Sequence, residues 1–224
     1  MTWAAAGPGR ARGCGSFRYG EEMAQLVHLN GPPGIGKSTL SALYAERNPS
    51  TLNLDVDTVH HLVGGWQHEE TDTWPTVWSL VQAMAATHLD GGHDVILPQY
   101  FATTDEIISF EKLARRHGAG FREVVLLDDR EAAIERFNRR GQDSNDPWIR
   151  HHHRLIELSG GPAALGTMYD NLLDVLRQRP DTMIVPCATG SIQQTYELLL
   201  NALHEPTSPR PAPTQSCQRA TPGD

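Results

Sequence analysis

Residues 25–40 read QLVHLNGPPGIGKSTL, and this stretch decides the fold of the whole chain. Its apolar run at 26–29 predicts a short buried strand. The next segment, 31–38, fits the pattern G-x-x-x-x-G-K-S/T of a phosphate-binding loop. From residue 39 onward, apolar residues at helical spacing predict an α-helix. Strand, glycine-rich loop and helix in this order are the context in which the pattern binds phosphate, so we expect a nucleoside triphosphate site here.

The chemistry of a triphosphate explains the fixed positions of the loop. Gly31, Gly34 and Gly36 lack the side chains that would keep the backbone away from the phosphates. Inward-pointing N–H groups form an anion nest, and the positive end of the helix dipole adds to it. Lys37 is suited to contact the β- and γ-phosphates, and the Ser38 hydroxyl is suited to bind Mg²⁺. The predicted ATP-binding residues are Gly31, Pro33, Gly34, Ile35, Gly36, Lys37, Ser38 and Thr39.

The composition disfavours several other classes of protein. The chain has 224 residues, enough for one α/β domain with a substantial core. None of its apolar runs approaches the roughly 18–20 residues that cross a membrane. A net charge of -8 disfavours a groove for long nucleic acid. The three cysteines, Cys14, Cys187 and Cys217, fit neither a disulfide framework nor a zinc site, and we expect a cytoplasmic protein.

The two ends of the chain differ in composition from its middle. Residues 1–22 are rich in Ala, Gly and Arg without periodicity, which predicts a disordered extension. Pro, Ser and Thr dominate 205–224, which predicts a disordered tail. The intervening residues, 23–204, are predicted to form one domain. Its predicted strands, each followed by a helical pattern, are 26–29, 51–56, 93–101, 121–127 and 182–186. This alternation predicts an α/β fold of three layers, a parallel sheet between helices.

Two carboxylates follow the second predicted strand, in the sequence Asp55-Val56-Asp57. In an open α/β sheet, ligands bind at the carboxyl ends of the strands, so both acids are expected near the phosphates. The alternation of a strand would direct them to the same side. One acid is then suited to the Mg²⁺ side and the other to act as a base toward a substrate hydroxyl. The alternative is that Asp57 only caps the following helix.

Further polar and aromatic residues are candidates for binding the substrate. The third predicted strand ends in Pro98-Gln99, where many phosphate-loop proteins have an aspartate linked to Mg²⁺. This difference favours Asp55 or Asp57 as the metal-side acid, and it makes Gln99 a candidate hydrogen-bond partner of substrate or water. Trp66, Trp74 and Trp78 are suited to wall an aromatic pocket. The alternative is that these four side chains only pack or end a strand.

A lid is predicted from about residue 137 to 160. Arg136, Arg139 and Arg140 precede a polar, turn-rich segment at 141–147. Arginines beside such a segment can close over the phosphates and bring positive charge to the transferring group. The alternative is a solvated helix end, where arginine is common. Three successive histidines at 151–153 point in different directions on a helix and cannot share one metal ion.

With the phosphate loop, the two acids and the arginines in this order, residues 25–203 resemble the small P-loop kinases. Gluconate kinase, adenylylsulfate kinase, chloramphenicol phosphotransferase and phage polynucleotide kinase are of this kind. The resemblance implies a sheet of order 2-3-1-4-5, with Asp57 at the position of the general base. It places Arg136, Arg139 or Arg140 among the lid cations. His60 stands where many such kinases have an arginine, which makes it a candidate substrate contact.

The sequence therefore predicts an ATP-dependent phosphotransferase. Its ligands would be ATP, Mg²⁺ and a small molecule with a hydroxyl group, a metabolite or an antibiotic. Lys37, Asp55, Asp57, Arg136 and Arg140 are the predicted catalytic residues, and Ser38 with Asp55 would hold the metal. A loop at 188–191 would border the adenine. A nucleoside, nucleotide or polynucleotide 5′-hydroxyl kinase, or a nucleotide-binding regulatory ATPase, is the alternative. The N-K-x-D motif of a GTPase is absent from the sequence.

Overall fold

The computed structural model describes residues 23–68, 70–141, 145–187 and 191–204. In these ranges the chain folds around one parallel sheet, with strands β1 (Gln25–Asn30), β2 (Leu52–Asn53), β3 (Val95–Leu97), β4 (Gly120–Leu127) and β5 (Met183–Pro186). Their spatial order is β2-β3-β1-β4-β5. The register pairs His28 with Leu97 on one side of β1 and with Glu123 on the other. The predicted α/β class and strand order are confirmed, and the phosphate-loop strand lies at the centre of the sheet.

Helices cover both faces of this sheet. Those within the described ranges are α1 (Lys37–Arg47), α2 (Val56–His61), α3 (Trp74–Asp90), α4 (Thr104–Arg116), α5 (Arg130–Gly141), α6 (Pro147–Leu158), α7 (Pro162–Gln178) and α8 (Ile192–His204). Thr103 and Glu106 form a capping box at the start of α4. None of the helices in the described residues is long and apolar enough to cross a bilayer.

Successive residues of β1 pack into two separate hydrophobic cores, one on each face of the sheet. Leu26 belongs to the core beneath α3 and α4, whereas Val27 and Leu29 belong to the core beneath α1 and α8. Side chains of a strand alternate between faces, so a strand buried on both sides is mostly apolar, as β1 is apart from His28 and the residues at its ends. This explains why the apolar run at 26–29 predicted the central strand correctly.

Two predicted strands end earlier in the structure than in the sequence analysis. β2 stops at Asn53, because the Asp55 side chain accepts the Asp57 and Thr58 backbone N–H groups and begins a helix at Val56. β3 stops at Leu97, because the following Pro98 has no N–H to donate to the sheet. The strand alternation predicted for Asp55 and Asp57 is therefore wrong: they lie at the N-cap and in the first turn of α2.

Some predictions concern residues outside those that the structure describes. These are the extension at 1–22 with Cys14, the tail at 205–224 with Cys217, most of the adenine loop at 188–191, and 142–144 of the lid. The domain limits 23–204 and the lid limits stay predictions. Cys187 is buried and is not in a disulfide.

His28 is an ionisable residue buried in the central strand. Its Nε2 lies 2.9 Å from the carbonyl oxygen of Gln99, so this nitrogen carries the hydrogen and donates it. The ring also packs against Phe101, with centroids 4.7 Å apart. Complete burial lowers the pKa of His28 from 6.5 to about 4, because the protonated ring would lose its hydration.

This burial predicts a loss of stability in mild acid. Below pH 6.5 His28 becomes protonated in the unfolded chain, whereas in the folded chain it stays neutral down to about pH 4. The free energy of unfolding should therefore fall as pH decreases through this window, by at most about 3 kcal/mol from this group. Urea denaturation from pH 7 to pH 4 measures it. His28→Gln should flatten that part of the dependence, and the exposed control His68→Gln should not. An unchanged slope in His28→Gln would contradict the assignment.

Candidate active site

The phosphate loop lies between β1 and α1 and allows glycine alone at two close contacts. Gly31 has φ 147°, and an added Cβ would lie 2.7 Å from the carbonyl oxygen of Leu126 in β4. Gly34 has φ 79°, and its Cβ would lie 2.9 Å from the Cα of Phe137 in α5. Both Cβ distances are too short for any residue with a side chain, and both φ angles favour glycine. The loop is consequently fixed against β4 and α5, and α1 begins directly after it at Lys37.

The Lys37 side chain folds back over its own loop. Its Nζ donates hydrogen bonds to the carbonyl oxygens of Gly31 at 2.8 Å and Pro32 at 3.1 Å. Desolvation lowers the pKa of Lys37 to about 8, while the carboxylates of Asp57 and Asp55 oppose that shift. The amine therefore remains mostly protonated at neutral pH. Its charge lies at the loop, held by the carbonyl oxygens of Gly31 and Pro32.

A cavity of about 270 Å³ adjoins the loop, and we call it the Asp57 cavity. It brings together many of the residues singled out in the sequence: Pro33, Gly34, Gly36, Lys37, Ser38, Thr39, Asp57, Gln99 and Arg140. Asp57 enters from the first turn of α2, and Gln99 enters from the segment after β3. Their carboxylate and amide thus face the phosphate loop across a single cavity.

Asp55 and Asp57 have different surroundings. The Asp55 Oδ1 accepts the backbone N–H of Asp57 at 3.0 Å and that of Thr58 at 3.4 Å, so it caps α2. Asp57 is half-buried in the cavity wall, and its carboxylate has no hydrogen-bond partner among the described residues. The capping role weighed for Asp57 therefore belongs to Asp55, and this cap directs Asp57 toward the cavity.

The oxygen atoms of the Asp57 cavity fit a magnesium ion brought in by a nucleotide. The Ser38 hydroxyl and the Asp57 carboxylate line the same space. No group of three His, Cys, Asp or Glu side chains suited to hold a metal occurs in the described part of the chain. Mg²⁺ is commonly bound by one or two protein oxygens together with phosphate oxygens and water. The residues present fit that mode, and they do not form a cage for a resident ion.

Arg136 and Arg140 lie at different cavities. The Arg136 guanidinium forms an ion pair with the Asp128 carboxylate at the end of β4. It lines a second cavity of about 410 Å³, the Arg136 cavity, together with Ile35, Thr39 and Ser191. Arg140 lines the Asp57 cavity, and it has no ion-pair partner within the described ranges. One turn of α5 therefore places the two predicted lid cations at different cavities.

Rings from α2, the following loop and α6 form a cluster around Trp148. Ring centroids of His60, His61 and Trp66 lie 5.3, 4.4 and 5.1 Å from the Trp148 ring. His60 also lies 2.6 Å from the Thr73 hydroxyl. The predicted substrate contacts His60 and Trp66 are thus placed in this cluster, and neither lines the Asp57 cavity. The cluster joins α6 to the helix that carries Asp57.

Two further tryptophans, Trp74 and Trp78, were predicted to wall a pocket, and one of them lines the Asp57 cavity. Trp74 lines it, while Trp78 stacks against Trp74 and packs on Phe101 and Phe110 in the core. The prediction of an aromatic wall thus applies to Trp74, and the packing alternative applies to Trp78.

Sequence reasoning missed Asn30, which is completely buried at the end of β1. Its Oδ1 accepts the backbone N–H groups of Gly31 at 2.8 Å and Phe101 at 3.1 Å. Its Nδ2 donates to the carbonyl oxygen of Phe101 at 3.2 Å. This amide ties the start of the phosphate loop to the segment after β3 that carries Gln99. A polar residue ending an apolar strand was the available signal.

The inner face of α6 was also missed. His152, Leu155 and Ile156 line the Asp57 cavity, and Met168 of α7 and Tyr100 complete that side. Burial lowers the pKa of His152, while the Asp57 carboxylate opposes the shift. The spacing i, i+3, i+4 of the three α6 residues was the available signal, since such residues share one helix face.

Comparisons with known proteins identify a family and similar folds. The sequence matches the family described as AAA domain over residues 26–157. No curated protein matches the sequence at a significant level. A tunicamycin resistance protein of Deinococcus radiodurans has a similar structure, with 17% identity, a TM-score of 0.56, and coverage of 84% of this chain and 99% of that one.

Two further solved structures share the fold. A gluconokinase from Sinorhizobium meliloti 1021 has 18% identity and a TM-score of 0.53, over 81% of this chain and 92% of its own. A chain of the Pnkp1/Rnl/Hen1 RNA repair complex has 16% identity and a TM-score of 0.53, over 73% of this chain and 49% of that chain. At these identities the likeness shows the fold, which is that of the P-loop kinases.

The ring cluster predicts that Trp148 holds α6 over the cavity. Trp148→Ala should remove contacts to α2 and to the Trp66 loop, at a cost of roughly 3–5 kcal/mol if the site does not collapse. Amide hydrogen exchange in α6 should become faster, while exchange in β1 and β4 changes less. Leu158→Ala is the matched control, because Leu158 lies on the same helix and is 66% exposed. Unchanged α6 exchange in Trp148→Ala would show that the cluster does not hold the helix.

Proposed function

Because this chain belongs to the AAA domain family, we propose that it is an ATP-dependent phosphotransferase acting on a hydroxyl group of a small molecule. The observation that carries the proposal is the shared Asp57 cavity. A half-buried lysine of the phosphate loop and a carboxylate with no hydrogen-bond partner among the described residues line one cavity of about 270 Å³. The similar folds of a tunicamycin resistance protein and a gluconokinase support a phosphotransferase.

The nucleotide would enter with its phosphates on the loop. Backbone N–H groups of 34–38 and the start of α1 would bind the β- and γ-phosphates, and the Lys37 ammonium would neutralise part of their charge. The Ser38 hydroxyl would hold Mg²⁺ together with phosphate oxygens and water, and the ion would neutralise charge on the phosphates when bound. Asp55, the metal-side acid of the sequence analysis, would act there through its cap on α2 and through its charge near Lys37.

The nucleoside would extend toward the Arg136 cavity. That cavity shares Gly36 and Thr39 with the phosphate loop and continues to Cys187, directly after β5, and to Ser191, directly before α8. The Asp128 ion pair holds the Arg136 guanidinium at its edge, where it can pack on a base or contact an outer phosphate. We therefore assign Arg136 to the nucleotide and Arg140 to the transferring phosphoryl group.

The chemical step would join the acceptor oxygen to the γ-phosphorus. Asp57 would accept the proton of the acceptor hydroxyl as the new O–P bond forms. The bond between the γ-phosphorus and the bridging oxygen breaks, and ADP leaves with that electron pair. Lys37 and Arg140 would stabilise the charge on the transferring group. Gln99 would orient the acceptor, because it lines the same cavity as Asp57.

Removing the Lys37 charge should abolish phosphate transfer. Lys37→Ala is expected to lower ATP-dependent phosphorylation by roughly 10²–10³-fold or more, because no other cation replaces the ammonium at the loop. Circular dichroism should show an intact fold. The exposed Lys112→Ala on α4 is the control and should leave turnover unchanged. Undiminished turnover in Lys37→Ala would refute this site.

Asp57→Asn should separate chemistry from nucleotide binding. The amide keeps the shape of the side chain but cannot accept the hydroxyl proton, so kcat should fall roughly 10²–10⁴-fold. The Kd for ATP, measured by calorimetry, should change far less. Asp105→Asn, an exposed acid in the first turn of α4, is the control. If kcat stays unchanged, Asp57 is not the base.

A further inference from the structure

The wall of the Asp57 cavity opposite the phosphate loop differs in chemistry from the loop itself. We call this wall the acceptor end: Trp74, Tyr100, Leu155, Ile156 and Met168. The Tyr100 hydroxyl donates to the carbonyl oxygen of Met168 at 2.9 Å, so this tyrosine offers the cavity mainly its ring. Trp74 is backed by Trp78, with centroids 6.1 Å apart. The acceptor end therefore consists of ring faces and aliphatic groups.

Few cations line the cavity in the part of the chain that the structure describes. Among the described residues that line it, Lys37 and Arg140 are the only lysine and arginine. Lys37 is bound to the loop carbonyls, and Arg140 lies on the last turn of α5. The internal residues outside the described ranges, 69, 142–144 and 188–190, contain no lysine or arginine in the sequence.

The basic residues of α6 do not add a lysine or an arginine to the lining of the Asp57 cavity. Arg154 lines a different surface hollow, with His68, Glu70 and His151. The α6 face toward the Asp57 cavity carries His152, Leu155 and Ile156 instead. Unlike lysine and arginine, histidine is not a permanent cation, and burial lowers the pKa of His152 further. The helix thus contributes no fixed positive charge to the acceptor end.

We infer, on the basis of the proposed function, that the acceptor is an uncharged alcohol with an aromatic or aliphatic body. An acceptor that carries phosphate or carboxylate would bury a second anion beside Asp57 with no cation to pair it, which is costly. The two cations that exist are needed by the ATP phosphates. Asp57 and Gln99 provide the hydrogen-bond groups for a hydroxyl, and Trp74 and Met168 provide apolar contact for the body behind it. The site thus selects against nucleotides, sugar acids and nucleic-acid ends.

The size of the cavity agrees with this class. About 270 Å³ must hold the terminal phosphate as well as the reacting part of the acceptor. A compact ring system or short chain next to the hydroxyl fits that space. The transfer itself is the step described above: the hydroxyl proton passes to Asp57, the γ-phosphoryl group moves from ATP to the acceptor oxygen, and ADP leaves.

Matched pairs of acceptors test the inference on the full chain. Each pair joins an uncharged alcohol to a derivative that keeps every hydroxyl and adds one carboxylate: benzyl alcohol with 4-(hydroxymethyl)benzoate, 2-phenylethanol with 4-(2-hydroxyethyl)benzoate, and uridine with its 6-carboxylate. ADP release and the mass of the phosphorylated product are measured at saturating ATP and Mg²⁺. In the pairs that react, kcat/KM for the uncharged member should exceed that of the anionic member by at least about tenfold, a modest penalty for an unpaired buried charge.

Binding of ATP is measured separately in the same preparation, so that two failures can be told apart. If anionic members react as well as uncharged ones, or if no uncharged member reacts while ATP binds, the inference is overturned and the proposed function is not. If ATP does not bind, or binds equally to Lys37→Ala, the proposed function fails and the inference fails with it.

A charge introduced at the acceptor end provides the second test. Met168→Lys, half-buried in the wall, should shift the kcat/KM ratio toward the anionic member of each reacting pair by at least about tenfold. Met168→Leu keeps the apolar surface and should retain the wild-type ratio. Ile156→Lys provides the same charge on α6 if Met168→Lys does not fold. Ratios that stay unchanged in folded lysine variants would show that the acceptor does not contact this wall.

Discussion

The close contact of the phosphate loop with β4 and α5 is the constraint on which the rest of the site depends. Gly31 lies against the Leu126 carbonyl, and Gly34 lies against the backbone at Phe137. Because no Cβ fits at either place, the loop cannot move away from α5 without losing its packing. This contact places Arg140, one turn beyond Phe137, at the cavity that contains Lys37. The geometry of the loop thus sets the position of a cation on another element.

Two short hydrogen-bond systems bring the acceptor side to the phosphate side. Asp55 begins α2 by accepting two backbone N–H groups, and this turns Asp57 into the cavity. Asn30 bonds Gly31 and Phe101, and this holds the segment with Gln99 against the loop. Both systems are local to the carboxyl edge of the sheet, where parallel strands leave backbone groups unpaired. The edge is therefore shaped by polar caps, while the sheet below it is held by apolar packing.

The helices beyond the sheet line the end of the cavity where, in our proposal, the acceptor binds. α6 and α7 place aliphatic side chains opposite the loop, and the rings around Trp148 join α6 to α2. This arrangement separates charge at the phosphate end from apolar surface at the acceptor end. A transferring phosphoryl group needs the charge, and exclusion of water by the apolar wall strengthens it.

The sequence by itself determined the phosphate loop, the α/β class and the order of elements, because glycine spacing and apolar runs are local signals that need no partner. It also provided the candidates Lys37, Asp57 and Gln99, and the structure unites them in one cavity. Only the tertiary structure decided that Asp55 is the cap, that Arg136 and Arg140 serve different cavities, and that His60 and Trp66 pack on Trp148. Those outcomes depend on contacts between elements that are distant in the chain. The periodicity of one element shows which of its faces is polar, but it does not show which other element packs against that face.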